Sequence, residues 1–177
     1  MLITSIQGQS NLATSNVLNI PGDGGDLFAS ALLLQIERYN NLEVQVRDEF
    51  DEMQTRNDWL KNANSALAAL RANRPNDDKA FHGYGAFVDA QGKTQGVFPW
   101  MVDNGIAIAR DGAGCQADFD GAISNLKARI DTVNSESQMA LIRLQSLMDK
   151  LNQCIEFATN LLSKDNKSKE NILANIR

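Results

Sequence analysis

Residues 119–162 read FDGAISNLKARIDTVNSESQMALIRLQSLMDKLNQCIEFATNLL, and this stretch decides the fold. Its apolar side chains recur at alternating spacings of three and four, with Ser137 as the one polar position. This is the spacing of a helix that buries one narrow face against another helix, as in a coiled coil. The members of the series are Phe119, Ile123, Leu126, Ile130, Val133, Ala140, Leu144, Leu147, Leu151, Cys154, Ala158 and Leu161.

The second half of the same helix carries a further apolar row beside the first. Leu141, Met148, Ile155 and Leu162 repeat every seven residues, and Ile172 and Ile176 resume after the polar run 163–169. One narrow partner helix cannot cover so wide a face, and monomers seldom leave such a patch in water. We therefore expect these six residues to contact another subunit or a chaperone. For Ile172 and Ile176, simple fraying of the helix end is the alternative.

A second long helix is predicted upstream, because residues 26–74 contain neither Gly nor Pro, and neither do residues 122–177. Asp26 is the expected N-cap, and Pro75 predicts an end near Asn73. Glu43, Asn57 and Asn64 interrupt its apolar series as polar register positions. The expected intramolecular coiled coil brings together Leu32, Ile36, Tyr39, Val46, Phe50, Met53, Leu60 and Leu67 of this helix with Ile123, Leu126, Ile130, Val133, Leu144, Leu147 and Leu151 of the other.

The acidic run formed by Asp48, Glu49, Asp51 and Glu52 is interpreted as a solvated helix face. Its density alone suggests a metal site. Ferritin-like di-metal sites, however, need a Glu-x-x-His sequence on each of two helices, and neither predicted helix contains His. We therefore expect no metal here.

The middle of the chain, residues 75–117, is rich in glycine and aromatic residues. Residues 86–88 and 96–98 predict a hairpin around Gln91 and Gly92, and residues 106–108 predict a short strand. A short helix is expected over Trp100–Asn104, with Pro99 at its start and Gly105 at its end. His82 is interpreted as a loop histidine without a catalytic role. The aromatic cluster is expected to cover one end of the helices, or to form a small surface that a partner contacts.

The first 22 residues carry no charged side chain and are rich in Ser, Thr, Asn and Gln. They lack the basic, apolar and small-residue regions of a secretory signal peptide. The composition of residues 1–25 predicts a disordered polar arm. An uncleaved export signal of the type III kind is the functional alternative.

Composition excludes several classes of function. The net charge is −5 and the pI is near 4.9, whereas nucleic-acid-binding proteins concentrate Lys and Arg. No apolar stretch approaches the roughly 20 residues of a membrane-spanning helix. The only His and the isolated Cys115 and Cys154 make no zinc site, and both cysteines are expected to be free thiols. With no nucleophile–base set, carboxylate pair or phosphate loop, we expect neither a cofactor nor enzymatic activity.

The predicted fold is mainly α. Two long helices form an antiparallel coiled-coil hairpin with a small, loop-rich α/β insertion at one end. The expected parts are the arm 1–25, the first coiled-coil helix 26–74, the insertion 75–117, and the second helix 118–177 with the assembly surface. About 46 helical residues would span roughly 70 Å, which exceeds the diameter of a globular domain of this mass. The hairpin is therefore expected to be a rod.

Two local segments resemble the EspA-like filament family, the needle-tip or hydrophilic translocator proteins of bacterial type III secretion systems. Residues 131–148, DTVNSESQMALIRLQSLM, with the terminal Asn175-Ile176-Arg177, are similar to the C-terminal helix of these proteins. Residues 99–106, PWMVDNGI, are similar to the short helix and turn that precede that helix. The insertion at residues 82–95 matches no pattern of the family. The similar segments cover about a third of the chain, and the order of parts covers most of it.

The resemblance implies a secreted subunit at the bacterial surface. Such subunits form a homo-oligomeric tip ring or hollow helical filament, through which effectors reach the host cell. The implied partners are the needle subunit, the separate hydrophobic translocators that make the membrane pore, and a chaperone that holds the subunit in the cytoplasm before export. The alternative function is a coiled-coil adaptor or chaperone-like binding protein without a role in secretion.

Overall fold

The computed structural model describes residues 24–109 and 111–176, so the predicted polar arm and export signal lie almost entirely outside the described residues. Within these residues the fold is mainly α, with three helices and two small two-stranded sheets. The helices are α1 (Gly24–Asn73), α2 (Val97–Asp103) and α3 (Gln116–Asn175). The strands are β1 (His82–Gly83), β2 (Ala86–Val88), β3 (Thr94–Gly96) and β4 (Ala113–Gly114).

The starts of both long helices differ from the prediction. Helix α1 begins at Gly24, two residues before the expected N-cap. Helix α3 begins after Cys115, so Asp118, where the second helix was predicted to start, lies in its first turn. There its carboxylate accepts hydrogen bonds from the Cys115 backbone N–H at 2.9 Å and the thiol at 3.2 Å. The two residues form a capping box, which satisfies the backbone N–H groups of Cys115 and Asp118. Helix α1 ends at Asn73, the expected residue.

The insertion contains a hairpin close to the predicted one but lacks one predicted strand. The second hairpin strand is Thr94–Gly96 and not the predicted 96–98, because Val97 and Phe98 begin α2, which was predicted to start only at Trp100. Strands β2 and β3 pair in antiparallel register, with Phe87 opposite Gln95. Residues 106–108 form no strand. Ile106 instead follows the turn that ends α2. Its backbone N–H donates a hydrogen bond to the Met101 carbonyl oxygen at 2.8 Å, and its side chain is buried. The second sheet is a short antiparallel pairing of β1 with β4.

Two features fix the turns of the insertion. Gly105 has a φ of 67°, which suits the residue that follows the C-cap of α2. In the hairpin turn, the buried Asp89 carboxylate accepts the backbone N–H groups of Gln91 at 3.0 Å and Lys93 at 2.8 Å. The Lys93 bond is the first cause of a pKa for Asp89 below its usual range. The hairpin is therefore held by a carboxylate that stays ionised.

The two long helices lie side by side. Along α1 from Asn73 toward Gly24, the contacts move along α3 from Gln116 toward Asn175. The course of this packing is marked by three pairs: Arg74 with Asp120, Trp59 with Arg129, and Gln35 with Cys154. At the first pair the Arg74 guanidinium donates two hydrogen bonds to the Asp120 carboxylate, at 2.7 and 2.8 Å. That bidentate contact lowers the pKa of Asp120 and raises the pKa of Arg74.

The hydrophobic core is concentrated at the end of the helices that carries the insertion. We call this part the head, meaning residues 75–115 and the helix segments 59–70 and 119–130 that pack on them. Its largest fully buried side chains include Tyr84, Met101 and Phe119. The Trp100 ring lies 5.8 Å from the ring of Trp59, measured between centroids. The aromatic residues of the insertion thus cover the helix ends, as the sequence predicts.

Candidate assembly surface

The face that α3 turns toward α1 is the one that the sequence indicates. Phe119, Leu126, Ile130, Val133, Ala140 and Cys154 are buried. The remaining members of the series are half-buried, including the polar Ser137. Almost every contact position of this helix is apolar, whereas the adjoining row is polar at Asp120, Lys127 and Asn134, so only one phase of the three–four spacing fits the whole helix.

The contact face of α1 differs from the prediction at every second position. Leu32, Tyr39, Val46, Met53 and Leu60 are half-buried and Leu67 is buried, whereas Ile36 is 48% and Phe50 57% exposed. The expected polar interruptions Glu43, Asn57 and Asn64 are also exposed. The second set of contact positions lies one residue earlier along the chain, at Gln35, Leu42, Glu49, Arg56, Ala63 and Leu70. Assigning Ile36 and Phe50 to the intramolecular contact was therefore wrong.

The cause of this shift is the head. Ala63, Ala66 and Leu70 are fully buried in the core around the insertion, and they set the rotation of α1 about its axis. Continuing that rotation toward Gly24 turns the polar side chains of Gln35 and Arg56 toward α3. Local apolarity does not distinguish the two phases, because each offers apolar residues, and tertiary packing in the head decides between them.

All six residues predicted to contact another subunit are exposed. The exposed fractions are 45% for Leu141, 46% for Met148 and Ile155, and 49% for Leu162. Ile172 and Ile176, close to the end of α3, are 56% and 76% exposed.

The two residues displaced from α1's contact face lie on the same side of the helix pair as this row. Ile36, Ile155 and Leu162 line a single groove between α1 and α3. Phe50 lies two heptads from Ile36, and Leu141 lies two heptads from Ile155, so each falls on the same helix face as its counterpart. We call the resulting surface the apolar flank: Ile36 and Phe50 of α1 with Leu141, Met148, Ile155 and Leu162 of α3.

One cleft on the other side of the helix pair has a different chemistry, although Leu34, in an adjoining groove that shares Gln45, is 62% exposed. This cleft is lined by Asp48 and Glu52 of α1 and by Arg143 and Lys150 of α3. We call these residues, with Gln45, the charged flank. Solvation of such side chains is favourable without any partner, and exposed ion pairs contribute little to stability. The charged flank can therefore stay in contact with water at little cost, whereas the apolar flank gains free energy when a partner excludes water from it.

Between the flanks, the contact face itself contains an ion pair that sequence reasoning missed. Glu49 and Arg56 lie seven residues apart on α1, with side chains only 13% and 23% exposed. Their facing Oε1 and Nη1 atoms are 3.7 Å apart and form no hydrogen bond. Arg56 also donates to Glu52 at 2.7 Å. The interpretation of Glu49 as solvated was wrong, because helical position outweighs charge in deciding which way this side chain points.

The thiol of Cys154 lies at the contact face near the far end of the helix pair. Its Sγ atom lies 3.2 Å from both the backbone carbonyl oxygen and the side-chain oxygen of Gln35. Cys154 and the half-buried Cys115 are both free. His82 is exposed on β1 and lies with its Nδ1 atom 3.1 Å from the carbonyl oxygen of Asn73.

The described residues also lack the features of two other kinds of site. Within 24–109 and 111–176, no group of three or more His, Cys, Asp or Glu side chains is placed to hold a metal ion. Over the same ranges, none of the helices combines the length and apolarity needed to cross a membrane.

Comparison with known proteins identifies no relative. No protein family, curated protein sequence or solved structure matches this chain.

Proposed function

We propose that this protein is a self-assembling structural subunit of a type III secretion needle-tip complex or extracellular filament. In this proposal α1 and α3 form an antiparallel coiled-coil hairpin, and the apolar flank is the surface on which neighbouring subunits pack. The assembled helices enclose a conduit for effector delivery, and the chain is secreted after a chaperone has held it in the cytoplasm.

The observation that supports assembly most directly is the apolar flank. Its six large apolar side chains are each between 45% and 57% exposed, on one side of one helix pair. Burying the exposed half of such a side chain is worth on the order of 1 kcal/mol. Six of them offer enough free energy for association, and scattered exposed residues would not combine in this way.

The link to secretion comes from the resemblance of residues 99–106 and 131–148 to the EspA-like filament family. It extends to the needle subunit, the hydrophobic translocators and the chaperone as partners. An intracellular coiled-coil adaptor remains the alternative, because the target helix of such an adaptor would bury its apolar side chains against the same apolar flank.

The first experiment tests the flank. The Met148→Asp/Ile155→Asp variant is expected to stay monomeric and folded at concentrations where the wild type assembles, because two charges would have to be buried at the contact. The measurements are sedimentation velocity and negative-stain microscopy over a concentration series, with circular dichroism as the test of folding.

The matched control is Gln153→Asp/Asn160→Asp, which adds two charges seven residues apart on the other side of α3. Both residues are exposed. This variant should assemble like the wild type. Normal assembly of Met148→Asp/Ile155→Asp would show that the flank is not the subunit contact.

The second experiment tests secretion. Removing residues 2–20 is expected to abolish export of the chain by a bacterium with a type III system, while the chain still folds. Export of the shortened chain at the wild-type level would contradict an export signal in these residues. If the chain without residues 2–20 keeps an unchanged role inside the cell, the result would favour the coiled-coil adaptor.

A further inference from the structure

The apolar flank is bordered on α3 by side chains that carry no charge. Thr159 lines the groove between the two long helices together with Ile155, so the row that contains Thr159 lies on the flank side of α3. Beside the flank this outer row is polar, neutral and exposed at each heptad position: Gln138, Gln145, Asn152 and Thr159. An apolar centre with a polar rim is the usual anatomy of a protein–protein interface, and charges are depleted at its core.

The α1 side of the flank contains an ion pair that is satisfied within the chain. Glu43 lies midway between Ile36 and Phe50 in heptad spacing, and its Oε1 atom is 3.1 Å from Nη2 of Arg47. With these charges paired to each other, the flank presents a largely neutral surface. A strongly charged partner would lose solvation there without gaining a counter-ion, whereas a second copy of the same surface is chemically matched to it.

The area of the flank is enough for a stable pair of copies. Each of its six large apolar side chains is about half exposed. Such a side chain has roughly 200 Å² of surface when free. Burying all six on both copies would remove roughly 1,200 Å² from water, which reaches the range of specific interfaces.

The apolar rows of α1 and α3 run level with each other along the helix pair. Gln35 contacts Cys154, so Ile36 lies level with about residue 153, which is within about 3 Å of Ile155 along the axis. The same offset applies at each heptad, because both helices rise by about 1.5 Å per residue. The level pairs are Ala29 with Leu162, Ile36 with Ile155, Glu43 with Met148, and Phe50 with Leu141.

This register is self-complementary when a second copy lies alongside with its head at the same end. A two-fold axis parallel to the helices then places the α1 row of each copy against the α3 row of the other, at the same level. Phe50 faces Leu141 of the second copy, and Glu43 faces Met148 of the second copy. Each of the four helices is antiparallel to both of its neighbours, which favours their dipoles and is the arrangement of an up-and-down four-helix bundle.

The opposite orientation matches the same surfaces less well. With the heads at opposite ends, α1 faces α1 and α3 faces α3. Pairing Ile36 with Phe50 of the second copy then centres the axis on Glu43, so the two Glu43 carboxylates meet and repel each other. The same axis carries Leu162 past the end of the apolar row, to the level of Lys127 and Asn134.

We propose that two copies pair through their apolar flanks, side by side with both heads at the same end, and form a four-helix bundle about a two-fold axis. This pairing rests on the proposed function, since it uses the surface assigned there to the subunit contact. It adds that the flank is closed within a pair, so the pair is the unit from which a larger assembly is built.

Spin labels test the orientation. Ala128 and Ser163 are exposed on the outer face of α3, and each is replaced by cysteine and labelled separately in a Cys115→Ser/Cys154→Ala background. Electron–electron resonance should give a distance between the two copies of about 20–35 Å at both positions, since packed helices are about 8–10 Å apart. Heads at opposite ends would give about 50 Å or more at both, because each label lies about 17 residues from the level of Glu43.

The outcomes separate the pairing from the proposed function. Distances near 50 Å would overturn the pairing while leaving the flank as the subunit contact. Met148→Asp/Ile155→Asp, labelled at Ser163, should lose the short distance. If this variant keeps it, the copies are held elsewhere, and both the pairing and the flank contact fail. Pairs with short distances that never grow into larger assemblies would support the pairing and contradict the tip or filament.

Complementary charges give a second test of which rows face each other. Phe50→Lys and Leu141→Asp should each weaken pairing about ten-fold or more, because each buries a charge against an apolar side chain. Mixing the two variants should restore much of the loss, since one lysine then faces one aspartate. The matched control mixes Phe50→Lys with Ile36→Asp, which face each other only with the heads at opposite ends. Rescue by Ile36→Asp and not by Leu141→Asp would overturn the proposal.

Discussion

The head and the distal half of the helix pair, residues 27–57 with 134–175, are built from the same two helices but are stabilised differently. In the head, Tyr84, Phe119 and Leu126 are almost completely excluded from water. In the distal half the contact face includes Gln35, Glu49 and Arg56, and large apolar side chains remain outside it. The head therefore has a closed hydrophobic core, whereas the distal half leaves large apolar side chains in contact with water.

The largest difference is expected between two phenylalanines. Phe119→Ala should reduce the free energy of unfolding by about 3–5 kcal/mol, because it leaves a cavity in a closely packed core. Phe50→Ala, at a residue that is 57% exposed, should change it by no more than about 0.5 kcal/mol. Urea denaturation of the monomer measures both. Equal losses would contradict the division into a packed head and an open distal half.

The substitution Gly114→Ala adds a single methyl group and tests how closely the head is packed. A Cβ at Gly114 would lie 2.5 Å from the Tyr84 hydroxyl and 2.7 Å from the Asp118 Cβ. Gly114→Ala should therefore destabilise the protein by about 1–3 kcal/mol. Gly121→Ala is the control in α3, where a Cβ meets no atom within 4 Å, and should stabilise it by up to about 1 kcal/mol. Thermal unfolding of the pair distinguishes them, and a neutral Gly114→Ala would mean a looser head.

The ion pair in the distal half is expected to be replaceable. Arg56→Met alone should lower stability by about 1–2 kcal/mol, because it leaves the Glu49 carboxylate without its ion-pair partner at the contact face. Glu49→Leu/Arg56→Met should recover that loss and equal or exceed the wild type, since an apolar pair removes the desolvation penalty. A double-mutant cycle in urea gives the coupling. A double variant less stable than Arg56→Met would show that the pair itself is stabilising.

The smallest effect is expected from acid, and it should fall on the head. The pKa values of Asp89 and Asp120 are lowered in the folded state, so the stability that these carboxylates contribute is present above pH 4. That contribution is lost as the pH falls through their folded pKa values. Asp89→Asn should therefore show a flatter decline of the urea midpoint between pH 5 and pH 3 than the wild type. Parallel profiles would exclude Asp89 as a source of the acid sensitivity.

The sequence predicts much of this architecture but misses the rotation of α1 about its own axis. The contact face of α3 follows from Ile130, Val133 and Leu144, because an apolar residue stands at nearly every contact position. In α1 both phases of the spacing offer apolar residues, Ile36 and Phe50 in one and Leu42 and Leu70 in the other. Burial of Leu70 under the insertion decides between them, and that contact is invisible to local spacing.

The candidate assembly surface was also only partly predictable, because local spacing does not show how the two long helices are rotated against each other. The α3 row follows from a heptad repeat that no single partner helix can cover. The α1 half of the apolar flank was assigned to the wrong surface, and only the fold unites the two rows. The pairing of β1 with β4 had no predictive pattern, since these strands have two residues each, and one residue of each is Gly.

The positions of the contacts along the chain also fix the order in which the helix pair closes. Arg74 and Asp120 are 46 residues apart in sequence, whereas Gln35 and Cys154 are separated by 119. Closing the shorter loop loses less chain entropy, and it is rewarded at once by the core of the head. The contacts between the two long helices are therefore expected to form first at the head and last at the free end, and to break in the reverse order. We expect the free end of the helix pair, where Gln35 contacts Cys154, to open and close while the head stays folded.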